Sequence, residues 1–150
     1  MLKYVIISIM AKVICVTNQK GGVGKTTSAV NLTAALGALG KKILLVDIDP
    51  QGNTTSGYGI SRKNLSATSY ELLIGACTAS EAVIKTKFAG VDIIPSNINL
   101  AGAELELAIM EKREALLKNA LATISENYDF IFFDCPPSLG LITLNALTAS

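Results

Sequence analysis

A segment rich in glycine and lysine lies between an apolar run and a helical pattern near the start of the chain. It reads Gln-Lys-Gly-Gly-Val-Gly-Lys-Thr-Thr at residues 19–27. Its glycines can adopt positive φ and bring backbone N–H groups close to an anion, and the N-terminus of the following helix adds a partial positive charge. These glycines are Gly21, Gly22 and Gly24. The pattern therefore predicts a loop that cradles phosphate groups.

Polar side chains in the same segment supply the rest of a nucleotide site. Lys25 brings a full positive charge to the outer phosphates, Thr26 offers a hydroxyl to Mg²⁺, and Thr27 can donate a hydrogen bond to an inner phosphate. Val23 lies between the glycines and belongs to the same loop. The segment thus predicts the binding of a nucleotide together with Mg²⁺.

Two carboxylates follow a second apolar run. Asp47 and Asp49 stand at the carboxyl end of the predicted strand 43–47, where open α/β sheets bind their ligands. Side chains alternate along a strand, so both point to the same side and can face the phosphate loop. Phosphoryl transfer requires one group that orients the attacking water and others that hold hydrated Mg²⁺. The pair is a candidate for these tasks.

A third apolar run ends in another aspartate. Four apolar residues at 130–133 precede Asp134, and Cys-Pro-Pro follows at 135–137. This looks like a Walker B strand, in which Asp134 holds Mg²⁺ through a water molecule and the two prolines stiffen the next segment. The pattern is common by itself, but here it follows the phosphate loop and the first carboxylates in the expected order.

Alternating strands and helices must position these groups. Short apolar runs at 12–17 and 43–47 flank a helical pattern at 26–39, which predicts a βαβ unit. Continuous apolar runs are typical of parallel strands that are covered on both faces. The sequence thus predicts an α/β fold with a mostly parallel, twisted sheet and helices on both faces.

The rest of the chain continues the alternation. Residues 49–68 are rich in Gly, Ser, Thr and Asn, which predicts a mobile loop. The other predicted elements are short helices at 69–74 and 80–83, a strand at 91–94, an amphipathic helix at 113–124, a strand at 130–133 and a helix at 139–149. With about four core strands and a helical pattern still open at Ser150, we expect a domain truncated at its C-terminal side.

The composition of the chain excludes several kinds of catalytic and metal-binding site. The 150 residues include no histidine, 50% are hydrophobic and the net charge is +1. Without histidine the chain has no imidazole base, no Ser-His-Asp or Cys-His nucleophile and no histidine-ligated metal. Three widely spaced cysteines form no C-x-x-C pair and indicate reduced thiols in a cytosolic protein. The basic pairs at 41–42, 62–63 and 112–113 are interpreted as solvated surface charge.

The first nine residues are interpreted separately from the domain. Apolar residues at 4–11 lie between Lys3 and Lys12, lack a convincing cleavage site and are too few to span a bilayer. We therefore predict an N-terminal extension at 1–9, with Met10 as the natural start. Residues 10–150 are then expected to form the N-terminal part of a P-loop ATPase domain.

One departure from the general phosphate-loop pattern is informative. Gln19 stands where that pattern has glycine, and an additional lysine, Lys20, follows it. Residues 20–26, Lys-Gly-Gly-Val-Gly-Lys-Thr, resemble the deviant Walker A motif of the ParA/MinD group of ATPases. In that group the extra lysine contacts phosphate, typically across the interface of a nucleotide-sandwich dimer. The resemblance implies that the cofactors are ATP and Mg²⁺ and that Lys20 couples ATP to dimerisation.

The same resemblance assigns roles to the carboxylates. It implies that Asp49 positions the attacking water, that Asp134 holds the metal, and that Asp47 supports the metal site. Lys20, Lys25 and Asp49 are then the catalytic residues.

Two further segments separate the branches of this group. Asp-Pro-Gln-Gly-Asn at 49–53 and the segment 95–107 resemble the ParA/Soj branch, which partitions chromosomes and plasmids, more than the MinD branch. Members are weak Mg-ATPases that dimerise with ATP, bind DNA without sequence preference and are stimulated by a ParB-type partner. The resemblance implies a cytoplasmic protein, nucleoid-associated when ATP-bound, with no stable membrane association. It places the DNA-binding surface and the adenine pocket mainly beyond residue 150.

Three other functions are compatible with these residues. A MinD-like, membrane-cycling cell-division ATPase would carry a basic amphipathic helix at its C-terminus. An ATPase of the nitrogenase iron-protein type would need cysteines at an interface, for which Cys77 and Cys135 are candidates. A nucleotide-sensing scaffold would bind ATP without significant turnover.

Overall fold

A five-stranded sheet forms the centre of the structure, a computed structural model that describes residues 10–150. The predicted extension at 1–9 lies outside the described residues. The strands are β1 (Lys12–Val16), β2 (Ile43–Asp47), β3 (Ile84–Lys85), β4 (Val91–Ile94) and β5 (Phe130–Asp134). Their order is β1-β5-β2-β4-β3, and only the short β3 pairs antiparallel among the described strands. The predicted mostly parallel sheet is confirmed.

Helices cover both faces of this sheet. The α-helices of the described residues are α1 (Lys25–Ala38), α2 (Asn53–Gly57), α3 (Ser69–Leu73), α4 (Ala79–Ala82), α5 (Ala103–Leu107), α6 (Leu116–Leu121) and α7 (Leu141–Ala149). One apolar cluster joins the sheet to α1, and a larger one joins the opposite face to the helices from α3 to α7. This confirms the prediction that helices cover both faces of the sheet.

Strand β2 shows why these apolar runs form the centre. All five of its residues are buried. Leu44 and Val46 belong to the larger cluster, whereas Ile43 and Leu45 belong to the cluster under α1. Full burial of each such side chain stabilises the fold by about 1.5–3 kcal/mol. The strand therefore fixes the position of Asp47 at the carboxyl edge of the sheet.

The prediction of a loop at 49–68 was wrong for Asn53–Gly57, because these residues form α2. Thr54 and Thr55 of this helix are completely buried. Their hydroxyls donate to the carboxylates of Asp134 and Asp47, respectively. Composition favoured a loop because it records polarity, but tertiary hydrogen bonds hold these polar residues inside the protein.

The predicted helix at 113–124 is shorter in the structure, where α6 spans Leu116–Leu121. The side chain of Asn145, in α7, interrupts the first turn of the predicted helix. Asn145 Nδ2 donates to the carbonyl oxygen of Arg113, and the N–H of Leu117 donates to Asn145 Oδ1. The amide group thus takes the place of the helical hydrogen bond between these two backbone groups.

Candidate nucleotide-binding site

The phosphate-loop segment connects β1 to α1, as predicted. Gly22 and Gly24 have φ values of 70° and 86°, which residues with a side chain rarely adopt. A Cβ at either position would meet nothing within 4 Å, so the backbone conformation, and not a lack of space, requires glycine. Gly21, for which we expected the same conformation, does not have a positive φ.

A cleft of about 390 Å³ lies beside this loop. Its lining residues are Gly21, Gly22, Gly24, Lys25, Thr26, Thr27, Asp49, Gln51, Asn53 and Pro137. It therefore brings most of the predicted phosphate-binding residues together with one predicted catalytic carboxylate. A larger cleft of about 540 Å³ lies at the opposite edge of the sheet, beside the amino ends of β2 and β4, and is lined by none of the predicted site residues.

Asp134 ends β5 and is nearly inaccessible to solvent. Its Oδ2 accepts hydrogen bonds from Thr26 Oγ1 at 2.8 Å and from Thr54 Oγ1 at 2.6 Å. Burial raises the pKa of Asp134, while these two hydrogen bonds lower it. The strand end and the start of α1 are thus joined through Asp134 and Thr26, two of the three side chains for which the sequence predicts a magnesium role.

The second oxygen of Asp134 indicates whether a magnesium ion would fit beside Thr26 and Asp134. Oδ1 is buried and has no hydrogen-bond partner within the described part of the chain. A buried carboxylate oxygen without a donor is energetically costly, and a hydrated cation would satisfy it. Magnesium is usually held by one or two carboxylates together with phosphates and water. Thr26 and Asp134 therefore fit a magnesium ion that is bound with a nucleotide.

Asp47 is also fully buried, but its surroundings differ. Its Oδ2 accepts from the backbone N–H of Thr55 at 2.8 Å and from Thr55 Oγ1 at 2.6 Å, and its Oδ1 accepts from the N–H of Asp49 at 3.2 Å. Burial raises the pKa of Asp47 to about 7 despite these hydrogen bonds. Both oxygens thus hold the segment that leaves β2, and the metal role of Asp47 stays a prediction.

Asp49 begins a tight turn at the rim of the cleft. Its Oδ1 accepts from the N–H of Gln51 at 2.9 Å, and its carbonyl oxygen accepts from the N–H of Gly52 at 2.9 Å. The Arg62 guanidinium donates to the carbonyl oxygen of Gln51. Only 8% of Asp49 is exposed. Its carboxylate is therefore held on the cleft by the local backbone.

The two lysines of the loop lie in different environments. Lys25 is partly buried and lines the cleft, and its ammonium lies 3.5 Å from the carbonyl oxygen of Lys20. Lys20 is exposed and does not line the cleft, and Val23 is likewise exposed. Lys25 is thus the lysine of this loop that lines the cleft, whereas Lys20 is exposed and is not part of its lining.

A protein-family model described as an AAA domain matches residues 11–150, nearly the whole chain. The chain belongs to this AAA-domain family. The sporulation initiation inhibitor protein Soj of Bacillus subtilis is 53% identical over 141 residues, which cover 94% of the chain and 56% of that protein. The chromosome partitioning protein ParA of Caulobacter vibrioides is 45% identical, over 93% of the chain and 53% of that protein. The resemblance to the ParA/Soj group is confirmed.

Solved structures confirm the P-loop fold of this AAA-domain protein. A structure from Mycobacterium smegmatis, named cobyrinic acid a,c-diamide synthase and holding ADP and magnesium, has a TM-score of 0.91 and 45% identity over 94% of this chain and 57% of that one. A plasmid partition protein from Borrelia burgdorferi has a TM-score of 0.86 and 33% identity over 95% of this chain and 62% of that one. The chain spans about half the length of the curated relatives it matches.

Several residues near this site were not predicted as site residues. Gln51, Asn53 and Pro137 line the cleft, and Thr54 donates to Asp134. Three of these four lie within 49–68, the segment predicted as a loop. For Thr54 the signal is a threonine a few residues after the strand-ending carboxylates, because its hydroxyl can satisfy a buried carboxylate oxygen.

The cysteines are free thiols, as expected from their spacing. Cys135 is buried, and its sulfur lies 3.1 Å from that of Cys15 in the larger apolar cluster. Within residues 10–150 no group of three or more acidic or cysteine side chains is placed to hold a metal ion. In the same range, no helix has the length and apolar character needed to cross a membrane.

Proposed function

We propose that this protein binds Mg-ATP and hydrolyses it, and that it acts as an ATP-dependent dimer switch in the segregation of chromosome or plasmid DNA. One arrangement carries the proposal: the phosphate loop and Asp49 line one cleft, and Thr26 of that lining donates a hydrogen bond to Asp134. The similarity to proteins named Soj and ParA supports the partitioning role.

The phosphate loop binds the triphosphate in this proposal. Backbone N–H groups at Gly21, Gly22 and Gly24 and the N-terminus of α1 face the negative charge. Lys25 neutralises the outer phosphates, and Thr27 donates to an inner one. Thr26 and Asp134 would hold magnesium, which would supply positive charge to the transferred phosphoryl group.

Asp49 accounts for the hydrolytic step. Its carboxylate orients a water molecule and accepts a proton from it as the water oxygen forms a bond to the terminal phosphorus and the bond from phosphorus to ADP breaks. The hydrogen bond from the N–H of Gln51 holds Asp49 in place for this task. Asp47 supports the site by holding the N–H of Asp49 and the start of α2.

Lys20 links ATP binding to a second copy of the chain. It is exposed beside the phosphate loop and does not line the cleft of its own chain, which suits contact with a phosphate bound by a partner copy. The partners that we propose are therefore an identical protomer, a ParB-type protein and DNA bound without sequence preference. We propose a cytoplasmic protein that associates with the nucleoid in its ATP-bound state and forms no stable membrane attachment.

The experiment is a phosphate-release assay on the complete protein, with DNA and a ParB-type partner, comparing the parent with Asp49→Asn. Asparagine keeps an oxygen for the N–H of Gln51, so ATP binding should persist while turnover falls about 100-fold or more. Equal turnover in the two proteins would contradict the role of Asp49. Tight ATP binding by a parent that never releases phosphate would instead favour a nucleotide-sensing scaffold.

Three related functions each require a test of their own. The Mycobacterium smegmatis likeness favours, as a second candidate, an ATP-dependent synthase of amide bonds. Turnover that depends on cobyrinic acid and a nitrogen donor, and not on DNA, would support it. Stimulation by anionic vesicles and not by DNA would support the MinD-like alternative, and stoichiometric iron in the purified protein would support the iron-protein alternative.

A further inference from the structure

Two consecutive threonines of α2 serve two different carboxylates. Thr54 Oγ1 donates to Asp134 Oδ2, and Thr55 Oγ1 donates to Asp47 Oδ2, each at 2.6 Å. Asp47 and Asp134 are paired in register on the neighbouring strands β2 and β5. One short helix thus holds the ends of both strands through adjacent hydroxyls.

Within residues 10–150, the hydrogen bond from Thr54 leaves the second oxygen of its acceptor carboxylate without a donor, whereas the one from Thr55 does not. The carboxylate of Asp134 receives both of its donors, Thr26 and Thr54, on Oδ2, while its buried Oδ1 has none among the described residues. Two donors on one oxygen fix the rotation of a carboxylate and direct the other oxygen to a defined point. Thr54 is the donor that comes from outside the phosphate loop.

We propose that Thr54 is a positioning residue of the magnesium site. Its hydroxyl fixes the orientation of Asp134, so that Oδ1 is presented to the hydrated cation. It also ties this orientation to the segment that carries Asp49, because α2 begins four residues after Asp49. This inference rests on the proposed binding of Mg-ATP. Ordered partners of metal-binding groups typically change metal affinity by roughly 10–100-fold when they are removed.

Thr55 provides a matched control within the same helix. It is equally buried, and it also donates to a strand-ending carboxylate at the same distance. In addition, its Oγ1 accepts from the N–H of Ser96 at 2.9 Å. Loss of the Thr55 hydroxyl therefore leaves more buried groups unsatisfied than loss of the Thr54 hydroxyl, and should cost more stability.

The experiment measures binding of a fluorescent, non-hydrolysable ATP analogue by the complete protein during a titration with Mg²⁺. The variants are Thr54→Val, Thr54→Ser and Thr55→Val, and the free energy of unfolding of each is measured without nucleotide. We expect Thr54→Val to raise the Mg²⁺ concentration for half-maximal binding by roughly 10–100-fold. Thr54→Ser keeps the hydroxyl and should stay close to the parent. Thr55→Val should lose the most stability and should raise the Mg²⁺ requirement less than Thr54→Val does.

Two results would overturn the inference. The first is a Mg²⁺ requirement in Thr54→Val that equals that of the parent. The second is a Mg²⁺ requirement that rises with the loss of stability across the variants, so that it is highest in Thr55→Val. If Thr54→Val does not fold, Thr54→Ala against Thr54→Ser gives the same comparison at the same position. A parent that binds the analogue equally well without Mg²⁺ would overturn the proposed magnesium site itself. If the parent requires Mg²⁺ and Thr54→Val requires the same Mg²⁺ concentration, only the proposed role of Thr54 is overturned.

Discussion

Asp47 and Asp134 lie side by side at the carboxyl ends of β2 and β5, and both are buried. Burial raises the pKa of each carboxyl group. Two buried like charges disfavour each other, so their hydrogen bonds decide what each residue does. Asp47 has donors on both oxygens, whereas Asp134 keeps one oxygen without a donor in the described part of the chain.

The stability of the protein should depend on pH through Asp47. Its pKa rises from 3.8 to about 7 on folding, chiefly because it is buried. The folded chain therefore keeps a proton that the unfolded chain releases above about pH 4. The stabilising contribution is complete below that pH and is lost as the pH rises through about 7, with a total on the order of 4 kcal/mol at 1.36 kcal/mol per pKa unit.

Urea unfolding between about pH 4 and pH 8, without nucleotide, measures this contribution. Asp47→Asn cannot titrate at this position, so its free energy of unfolding should fall less steeply with pH than that of the parent. Identical pH dependence in the two proteins would show that Asp47 does not carry the effect.

Asp134→Asn should separate metal binding from folding. An asparagine oxygen can accept from both Thr26 and Thr54, and the substitution removes a buried charge. We expect an unchanged or higher free energy of unfolding without nucleotide, and a Mg²⁺ requirement for ATP-analogue binding raised by at least about tenfold. Asp129→Asn, at the exposed residue just before the same strand, is the control. A variant that binds magnesium like the parent would contradict this assignment.

Lys20→Ala should abolish ATP-dependent dimerisation and leave folding intact. The side chain is exposed, so its removal should change the free energy of unfolding by no more than about 0.5 kcal/mol. Analytical ultracentrifugation of the complete protein with a non-hydrolysable ATP analogue measures the effect. Lys63→Ala removes another exposed charge, outside the phosphate loop, and should dimerise normally. If Lys20→Ala dimerised and hydrolysed ATP like the parent, the assignment of Lys20 would fail.

Gly37→Ala should destabilise the protein although alanine favours helices. A Cβ at this position of α1 would overlap the carbonyl oxygen of Ala89 and lie 2.7 Å from Val91 Cγ2. We expect a loss of about 1–3 kcal/mol in the free energy of unfolding. Gly57→Ala is the control, because its Cβ would lie 3.5 Å from Val30 Cγ2, an ordinary contact. Equal stability of the two variants would contradict the close approach of α1 to the sheet.

The sequence predicted the phosphate loop and the strand-ending aspartates because both signals are local. Glycine and lysine spacing records a backbone conformation, and apolar runs record burial on both faces of a sheet. It did not predict α2, because Thr54 and Thr55 look like solvated loop residues until their acceptors are known. It also placed the start of α6 too early, because the side chain of Asn145, 32 residues away from Arg113 in the sequence, binds the backbone there.

By itself, the sequence determined which groups stand at the carboxyl edge of the sheet, since parallel strands end there together. Only the tertiary structure decided which partner each group has. The hydrogen bond from Thr54 to Asp134 spans 80 residues, and the one from Thr26 spans 108. Contacts of this separation depend on how the strands are ordered and how the helices pack on them. For that reason two similar aspartates, Asp47 and Asp134, become an anchor of the backbone and a candidate magnesium ligand.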